Sequence, residues 1–208
     1  MKGKYISIYE KNHTNKEDER LGLFQRLNEN YSIEKALYPG AYAHITPAFV
    51  FPVVVFNDVY KKLEPYYDSD EIYNYIKKRK MYSEDPTYSY INADFNSPLK
   101  IKAEEFDLLI SQYSGFVSRA CRNHLKIGGL LVANSSHGDA CMASISSDYE
   151  FIAVVNKRNK KWVYSVRDLE KYFIPKKDLI ITEKYLDKNP HGVGYTKSAT
   201  DYIFRRVH

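Results

Sequence analysis

Five short polar clusters hold the residue types that could do chemistry: Tyr38-Pro39-Gly40-Ala41, Asn57-Asp58, Ala93-Asp94-Phe95, Ser111-Gln112-Tyr113 and Asn134-Ser135-Ser136-His137-Gly138-Asp139. A glycine just after a strand lets a ligand approach the backbone without meeting a Cβ. An acid roughly 20 residues further on, at the end of the next strand, can accept hydrogen bonds from ribose hydroxyls. Asp58 lies 18 residues beyond Gly40. His44, Tyr113 and His137 each follow a predicted strand and could accept a proton from a reacting group. Plainer roles stay open beside these: a turn for Gly40, helix caps or surface acids for Asp58 and Asp94, and a cap of the next helix for His137.

Other chemistries find less support. The Ser, His and Asp of the 134–139 loop are too close in sequence for a hydrolytic triad, and no Gly-x-Ser-x-Gly elbow accompanies them. The six histidines are scattered, so no metal site is expected. The absence of Gly-x-Gly-x-x-Gly argues against a nicotinamide-dependent oxidoreductase. Cys121 and Cys141 are too few for a disulfide framework, which makes them ordinary buried thiols in a reducing, cytoplasmic setting.

The elements that must position these residues follow from periodicity. Asn15–Tyr31 reads as a helix with Leu23, Phe24, Leu27 and Tyr31 on one face. Strands are expected at Glu34–Tyr38, at Phe49–Phe56 running on to Asp58, at Tyr88–Ala93, at Phe106–Ile110 and at Leu130–Ala133. Between them, Val59–Lys80 reads as a helix in two pieces around Asp68 to Asp70, and Gly115–Leu125 as a single helix. A turn at Lys126-Ile127-Gly128-Gly129 leads into Leu130. A helix near 138–144 precedes strands at Tyr149–Asn156 and within Tyr195–Val207, with a helix at Val166–Phe173 and a strand at Asp178–Thr182 between them. Alternating strands and helices imply a parallel sheet with helices on both faces and ligands at the carboxyl ends of its strands.

The chain of 208 residues is 44% hydrophobic and 27% charged, enough to bury one core, so a single domain is expected. Within it, 1–33 reads as an N-terminal helical extension, 34–156 as the core and 157–208 as C-terminal strands with an insertion. The longest apolar run, Ala48 to Phe56, is interrupted by Pro52 and falls short of the roughly 20 residues that span a bilayer. Residues Met1 to Tyr9 lack the apolar stretch of a secretory signal. The formal charge of +5, with basic groups at Lys77–Lys80, Lys157–Lys161 and Arg205–Arg206, leaves nucleic acid open as a partner; such groups also serve as solvated faces or hairpin tips. Twenty tyrosines could stack bases, or sit at the core's edge.

The succession of polar strand ends, together with Phe106–Ser111 and the Leu125-Lys126-Ile127-Gly128-Gly129-Leu130-Leu131 stretch, resembles the class I S-adenosylmethionine-dependent methyltransferases over roughly residues 34–156. That resemblance implies an α/β, Rossmann-like methyltransferase fold, a mostly parallel seven-stranded sheet with an antiparallel C-terminal strand and helices on both faces. It implies S-adenosylmethionine as cofactor, with Tyr38, Gly40 and Ala41 at its amino-acid part, Asp58 at the ribose, Asp94 and Phe95 at the adenine, and Ser111 and Gln112 at the mouth of the site. His137 and Tyr113 are the implied catalytic candidates, with no metal. The acceptor is left open among small molecules, RNA and proteins, with no membrane involved. Two departures stand out: the family's glycine-rich loop is here reduced to Gly40, flanked by Pro39, Ala41, Tyr42 and Ala43, and Tyr42 and His44 would crowd the methionine pocket. Ser111-Gln112-Tyr113-Ser114 lacks the Asn/Asp-Pro-Pro-aromatic motif of amino-group methyltransferases, and no Pro-Cys pair supports a cytosine C5 enzyme. The alternative is a methyltransferase-like protein that has lost catalysis and serves as a binding module.

Overall fold

The computed structural model describes residues 3–16, 19–134 and 136–208. The chain forms two compact units, Met1–Ser97 and Pro98–His208. The first begins with helices α1 (Lys4–Asn12) and α2 (Leu21–Asn30). Strand β1 (Lys35–Pro39), strand β2 (Val53–Asp58), helices α3 (Glu64–Tyr67) and α4 (Asp70–Arg79) and strand β3 (Thr87–Asn92) follow. β2 lies between β1 and β3 and is parallel to both. Its interior residues Val54 to Asn57 are buried, as a strand flanked on both sides requires. Pro39 is opposite Asn57 and Asp58 opposite Asn92, so the loops after all three strands leave from one edge.

Local chemistry accounts for several of these boundaries. Ser69 caps α4 by accepting from the Ile72 N–H at 3.3 Å, with Asp70 and Glu71 in the first turn and Lys77, Lys78 and Arg79 in the last. That arrangement complements the helix dipole at both ends. The helix anticipated over Asn15–Tyr31 begins only at Leu21, preceded by a 3-10 turn at Thr14–Lys16 and by Arg20 at φ 56°; Glu17 and Asp18 lie outside the described residues. α1 was not anticipated. Its first turn is completed from α4, where the Glu71 carboxylate accepts from the Ile6 N–H at 2.7 Å, a contact invisible to periodicity. The strand expected from Phe49 starts at Val53, because Pro47 opens a 3-10 turn at Thr46–Phe49 and Pro52 has no N–H for a ladder.

The second unit runs through strand β4 (Phe106–Ser111), helix α5 (Val117–Ala120), strand β5 (Leu125–Ala133), helix α6 (Asp139–Ile145), strands β6 (Tyr149–Arg158) and β7 (Lys161–Ser165), helix α7 (Glu183–Lys188) and strand β8 (Asp201–Arg206). Its strand order is β4-β5-β8-β6-β7. β4 and β5 are parallel, while the last strand is inserted antiparallel between β5 and β6. Among the described residues there are therefore eight strands, three in the first unit and five in the second, where seven were expected. The extra one is β7, the outer arm of a hairpin with β6.

Other expectations are corrected here. Lys126–Gly129 is a bulge inside β5, across which the partner of β4 jumps from Leu125 to Leu130, with Gly128 at φ 82°. The helix expected over 115–125 shrinks to one turn of α5 and a 3-10 turn at Arg122–His124. Only a 3-10 turn at Leu169–Lys171 forms within 166–173, and Asp178–Thr182 is not a strand; Thr182 instead caps α7, accepting from the Tyr185 N–H at 3.2 Å. Both cysteines are buried free thiols, as expected. No helix of the described residues is long and apolar enough to cross a membrane.

Gly138, the N-cap of α6, sits at φ 74°, and a Cβ there would lie 2.8 Å from the Pro190 carbonyl oxygen. Gly128 shares the left-handed backbone, but a Cβ there would meet nothing. Gly138→Ala is therefore expected to cost about 2–3 kcal/mol and Gly128→Ala about 1 kcal/mol. Urea denaturation of the two variants checks this; equal losses would mean that the close approach of Pro190 is immaterial.

Candidate functional site

In the first unit, the edge where β1, β2 and β3 end is built around Asp58. Gly40 turns the chain off β1 at φ 67°, and Ala41 then donates to the Asn57 carbonyl at 3.1 Å. Tyr42 follows at φ 44°, with its N–H donating to Asp58 Oδ2 at 3.0 Å. The other carboxylate oxygen, Oδ1, accepts from the Tyr60 N–H at 2.9 Å, an Asx turn two residues long. Asp58 thus joins the loop after β1 to the loop after β2. The Asp58 carbonyl in turn accepts from Ala93 N–H at 3.2 Å, which brings the loop carrying Asp94 to the same place. Asp94 is exposed and caps its own turn, accepting at Oδ1 from the backbone N–H and the side-chain amide of Asn96, both at 2.9 Å. Asn57, fully buried, ties β2 to the end of β3 through its amide, which donates to the Ile91 and Ala93 carbonyls.

Aromatic residues hold this edge from below and flank it from above. Tyr67 stacks on Tyr90 with ring centroids 4.7 Å apart and an 8° tilt, and on Phe56 at 4.8 Å. Its hydroxyl donates to the Tyr42 carbonyl at 2.5 Å, while that of Tyr66 donates to the Ala43 carbonyl at 2.9 Å. Burial pushes both phenols well above their ordinary pKa, so they remain neutral donors. Tyr42 (39% exposed) and Tyr60 (45%) lie 6.0 Å apart by ring centroids, and both can meet a ligand.

The rest of the loop faces inward. Tyr38, Ala41, Ala43 and His44 are buried. His44 Nε2 is 2.9 Å from the Glu19 carbonyl oxygen, to which it must donate, so Nδ1 accepts from the Tyr38 hydroxyl at 3.0 Å. Burial, reinforced by neighbouring His13, drops its pKa well below the usual histidine value. Against the expectation that His44 could take a proton from a substrate, both its ring nitrogens are already used inside the fold.

In the second unit, β4 and β5 end side by side at Ser111 and Ala133. Gln112 is buried; its amide donates to Asp201 Oδ1 at 2.9 Å, and its Oε1 accepts from Asn134 at 2.9 Å. One glutamine thereby joins the ends of β4 and β5 to the start of β8. Tyr113, 50% exposed and at φ 61°, meets His137 edge-on with centroids 6.2 Å apart, so the two catalytic candidates are neighbours. His137 Nδ1 is buried with no hydrogen-bond partner among the described residues. Ser135, in the same loop, lies outside the described residues.

Asp139 stood in the 134–139 cluster, but nothing in the sequence marked its burial. It is buried at the start of α6 and accepts from the Ser118 N–H and Oγ, while Tyr149 donates to the Ser118 carbonyl at 2.8 Å. Burial pushes its carboxyl up to about 6, against the opposing hydrogen bonds of Ser111 and Ser118 and the charge of Arg119. Tyr60 and Asp201 were missed, while Asn57 and Asn134 were placed at strand ends without a role of their own. Only Tyr60 had a local signal, its place two residues after an aspartate.

Taken unit by unit, the strand arrangement defines the class: parallel β3-β2-β1 in one, and in the other a parallel β4-β5 pair followed by a last strand inserted antiparallel between β5 and β6. That is the mixed, largely parallel strand arrangement of the Rossmann-like α/β class. No protein-family model matches the sequence, and no curated protein matches it. Among solved structures, the chain is similar to the YcgJ protein from Bacillus subtilis, at 18% identity over 60% of this chain and 54% of that one, with a TM-score of 0.41. The N-methyltransferase NodS from Bradyrhizobium japonicum is 14% identical over 92% and 97% of the two chains, with a TM-score of 0.46. A methyltransferase from Geobacter sulfurreducens is 14% identical over 73% and 84%, with a TM-score of 0.48. The chain spans about half the length of YcgJ.

The raised carboxyl of Asp139 sets a pH dependence. Its folded pKa of about 6 lies above the unfolded value. Its contribution is therefore fully present below pH about 4, and stability falls as pH rises to about 6, by about 3 kcal/mol in all. Asp139→Asn should remove this slope, so that denaturation midpoints of parent and variant diverge between pH 4.5 and 7. Parallel pH profiles would show that the carboxyl titrates normally.

Proposed function

We propose that this chain binds S-adenosylmethionine at the edge where β1, β2 and β3 end and transfers its methyl group to an acceptor among small molecules, RNA and proteins. The observation that carries the reading is the setting of Asp58. It ends the central strand of the first unit, next to a glycine turn at positive φ and between two exposed tyrosines. Each carboxylate oxygen accepts one backbone N–H, and an ionised carboxylate has about four lone-pair sites. Two acceptor sites are left for two ribose hydroxyls, so the residues present fit the cofactor at this point.

In this reading, the backbone of Gly40 and Ala41, with Tyr38 beneath, supports the amino-acid part of the cofactor. Asp58 holds the ribose, and Asp94 with Phe95 contacts the adenine. Ser111 and Gln112 brace the strand ends of the second unit. The bound cofactor supplies a methyl group on a sulfonium, ready for in-line displacement. The chain's part is to align the acceptor and, where the acceptor carries a proton, to take it up at His137 or Tyr113.

The binding-module reading is supported by a different observation. Tyr38, Ala41, Ala43 and His44 already pack the interior side of the loop, where the family's glycines leave space. Titration calorimetry with S-adenosylmethionine and S-adenosylhomocysteine separates the two. Affinity tighter than about 100 μM, or about 5.5 kcal/mol, supports the enzyme, and no heat from the folded protein supports the module. Asp58→Ala is expected to abolish binding while unfolding remains cooperative, with a stability loss of about 1 kcal/mol because the released Tyr42 and Tyr60 N–H groups can turn to water. Unchanged affinity in that variant would remove Asp58 from the site.

A further inference from the structure

From the hairpin of β6 and β7 we infer a second binding surface, one that takes single-stranded nucleic acid, independent of any cofactor. β7 is the outermost strand of its unit, paired only with β6. From Phe151 to Arg167 the chain carries Lys157, Arg158, Lys160, Lys161 and Arg167 and not one acidic residue. The strands bring Lys157, Arg158, Lys160 and Lys161 to one tip, with Arg167 past the far end of β7, and place the aromatic residues beside them. Lys157 pairs across the strands with Trp162, its Nζ 5.7 Å from the indole centroid, and Tyr164 follows two residues on, on the same face of the strand. Trp162 and Tyr164 are both half-buried, the setting of a ring packed on its base with its outer part in water. Cations tracking a phosphate chain beside rings that stack bases are the two components of sequence-tolerant single-strand binding.

The tip is built against its own stability. Arg158 lies directly opposite Lys161, and like charges facing each other across a strand pair are destabilising. The two-residue turn between them is Asn159-Lys160, both at positive φ (48° and 64°); the second position of such a turn suits glycine, and here it carries a lysine. Each departure adds positive charge at the same spot, which an anionic partner would offset. Just behind the tip the hairpin is anchored, with Lys157 N–H donating to Thr200 Oγ1 at 3.0 Å and Thr200 N–H donating to Asn156 Oδ1 at 3.3 Å. The charged tip is therefore held at a fixed place. A guard against edge-to-edge aggregation explains one lysine on an outer strand, but not a repulsive pair with a strained lysine between them.

Trp162 is the only tryptophan, so its fluorescence reports directly on the surface. Titration of the full chain, without cofactor, with oligouridine and oligothymidine of about 12 nucleotides should quench it, with an apparent affinity that falls as salt rises. Arg158→Glu combined with Lys161→Glu should weaken binding about tenfold or more and flatten the salt dependence. Arg158→Glu alone should weaken binding while leaving thermal stability equal or higher, because it turns a repulsive pair into an attractive one; a merely structural role would move both together. No quenching, or quenching unchanged by the double substitution, overturns the proposal. So does a response to anionic phospholipid vesicles with none to the oligonucleotides, or self-association of the double variant with no change in binding, which would mark the charges as an edge guard.

Discussion

The architecture of the first unit depends on how the loop after β1 satisfies its backbone polar groups. That loop crosses the end of a buried parallel strand, where its inward-facing carbonyls are withdrawn from water and each unpaired one would cost a desolvation penalty. The chain answers with tyrosine hydroxyls and one carboxylate: Tyr66 and Tyr67 donate to the Ala43 and Tyr42 carbonyls, and Asp58 accepts from the Tyr42 N–H. The abundance of tyrosine has an explanation here, since a phenol fills core volume with its ring and delivers a donor several ångströms from its own backbone. The same contacts hold Asp58 at the rim with part of its acceptor capacity free.

The second unit meets the same demand with amides and buried acids. Gln112 joins Asn134 to Asp201 where β4 and β5 end and β8 begins, and Asp139 gathers Ser118 by both its N–H and its hydroxyl. Networks of this kind hold a geometry well because each member is costly to release in a low-dielectric interior. They also bring Tyr113 and His137 side by side by fixing the loops on which the two stand. The polar residues at strand ends therefore divide into two sets. Gln112, His44 and Asp139 face inward and hold the fold, while Asp58, Asp94, Tyr113 and the exposed tyrosines face a solvent-accessible rim.

Much of the strand framework was legible in the sequence, for a local reason. β1, β2, β4 and the buried part of β5 are short apolar runs that end in polar residues, and burial on both faces leaves that signature in the sequence itself. The end of β2 at Asp58 and the two pieces α3 and α4 follow from the same periodicity, reinforced by Ser69 and the charge order along α4. Where a chain segment is stabilised by a distant partner, the local signal fails. α1 is completed by Glu71 from another helix, and β7 exists because β6 supplies its hydrogen bonds. The Lys126–Gly129 stretch resembles a turn but is carried within a strand by its neighbours.

The sequence by itself determined which residues stand at strand ends, because hydrophobic periodicity and turn chemistry are properties of consecutive residues. It placed Asp58 at the end of a strand, Gly40, Asp94, Tyr113 and His137 just beyond strands, and the cysteines in the interior. Only the tertiary structure decided which way each polar side chain turns: His44 inward to Tyr38 and Glu19, Gln112 inward to Asp201, Asp58 across to Tyr42 and Tyr60. The physical reason is that a buried donor or acceptor must find its complement wherever the fold brings one, and those complements lie 16 to 89 residues away in several of these pairs.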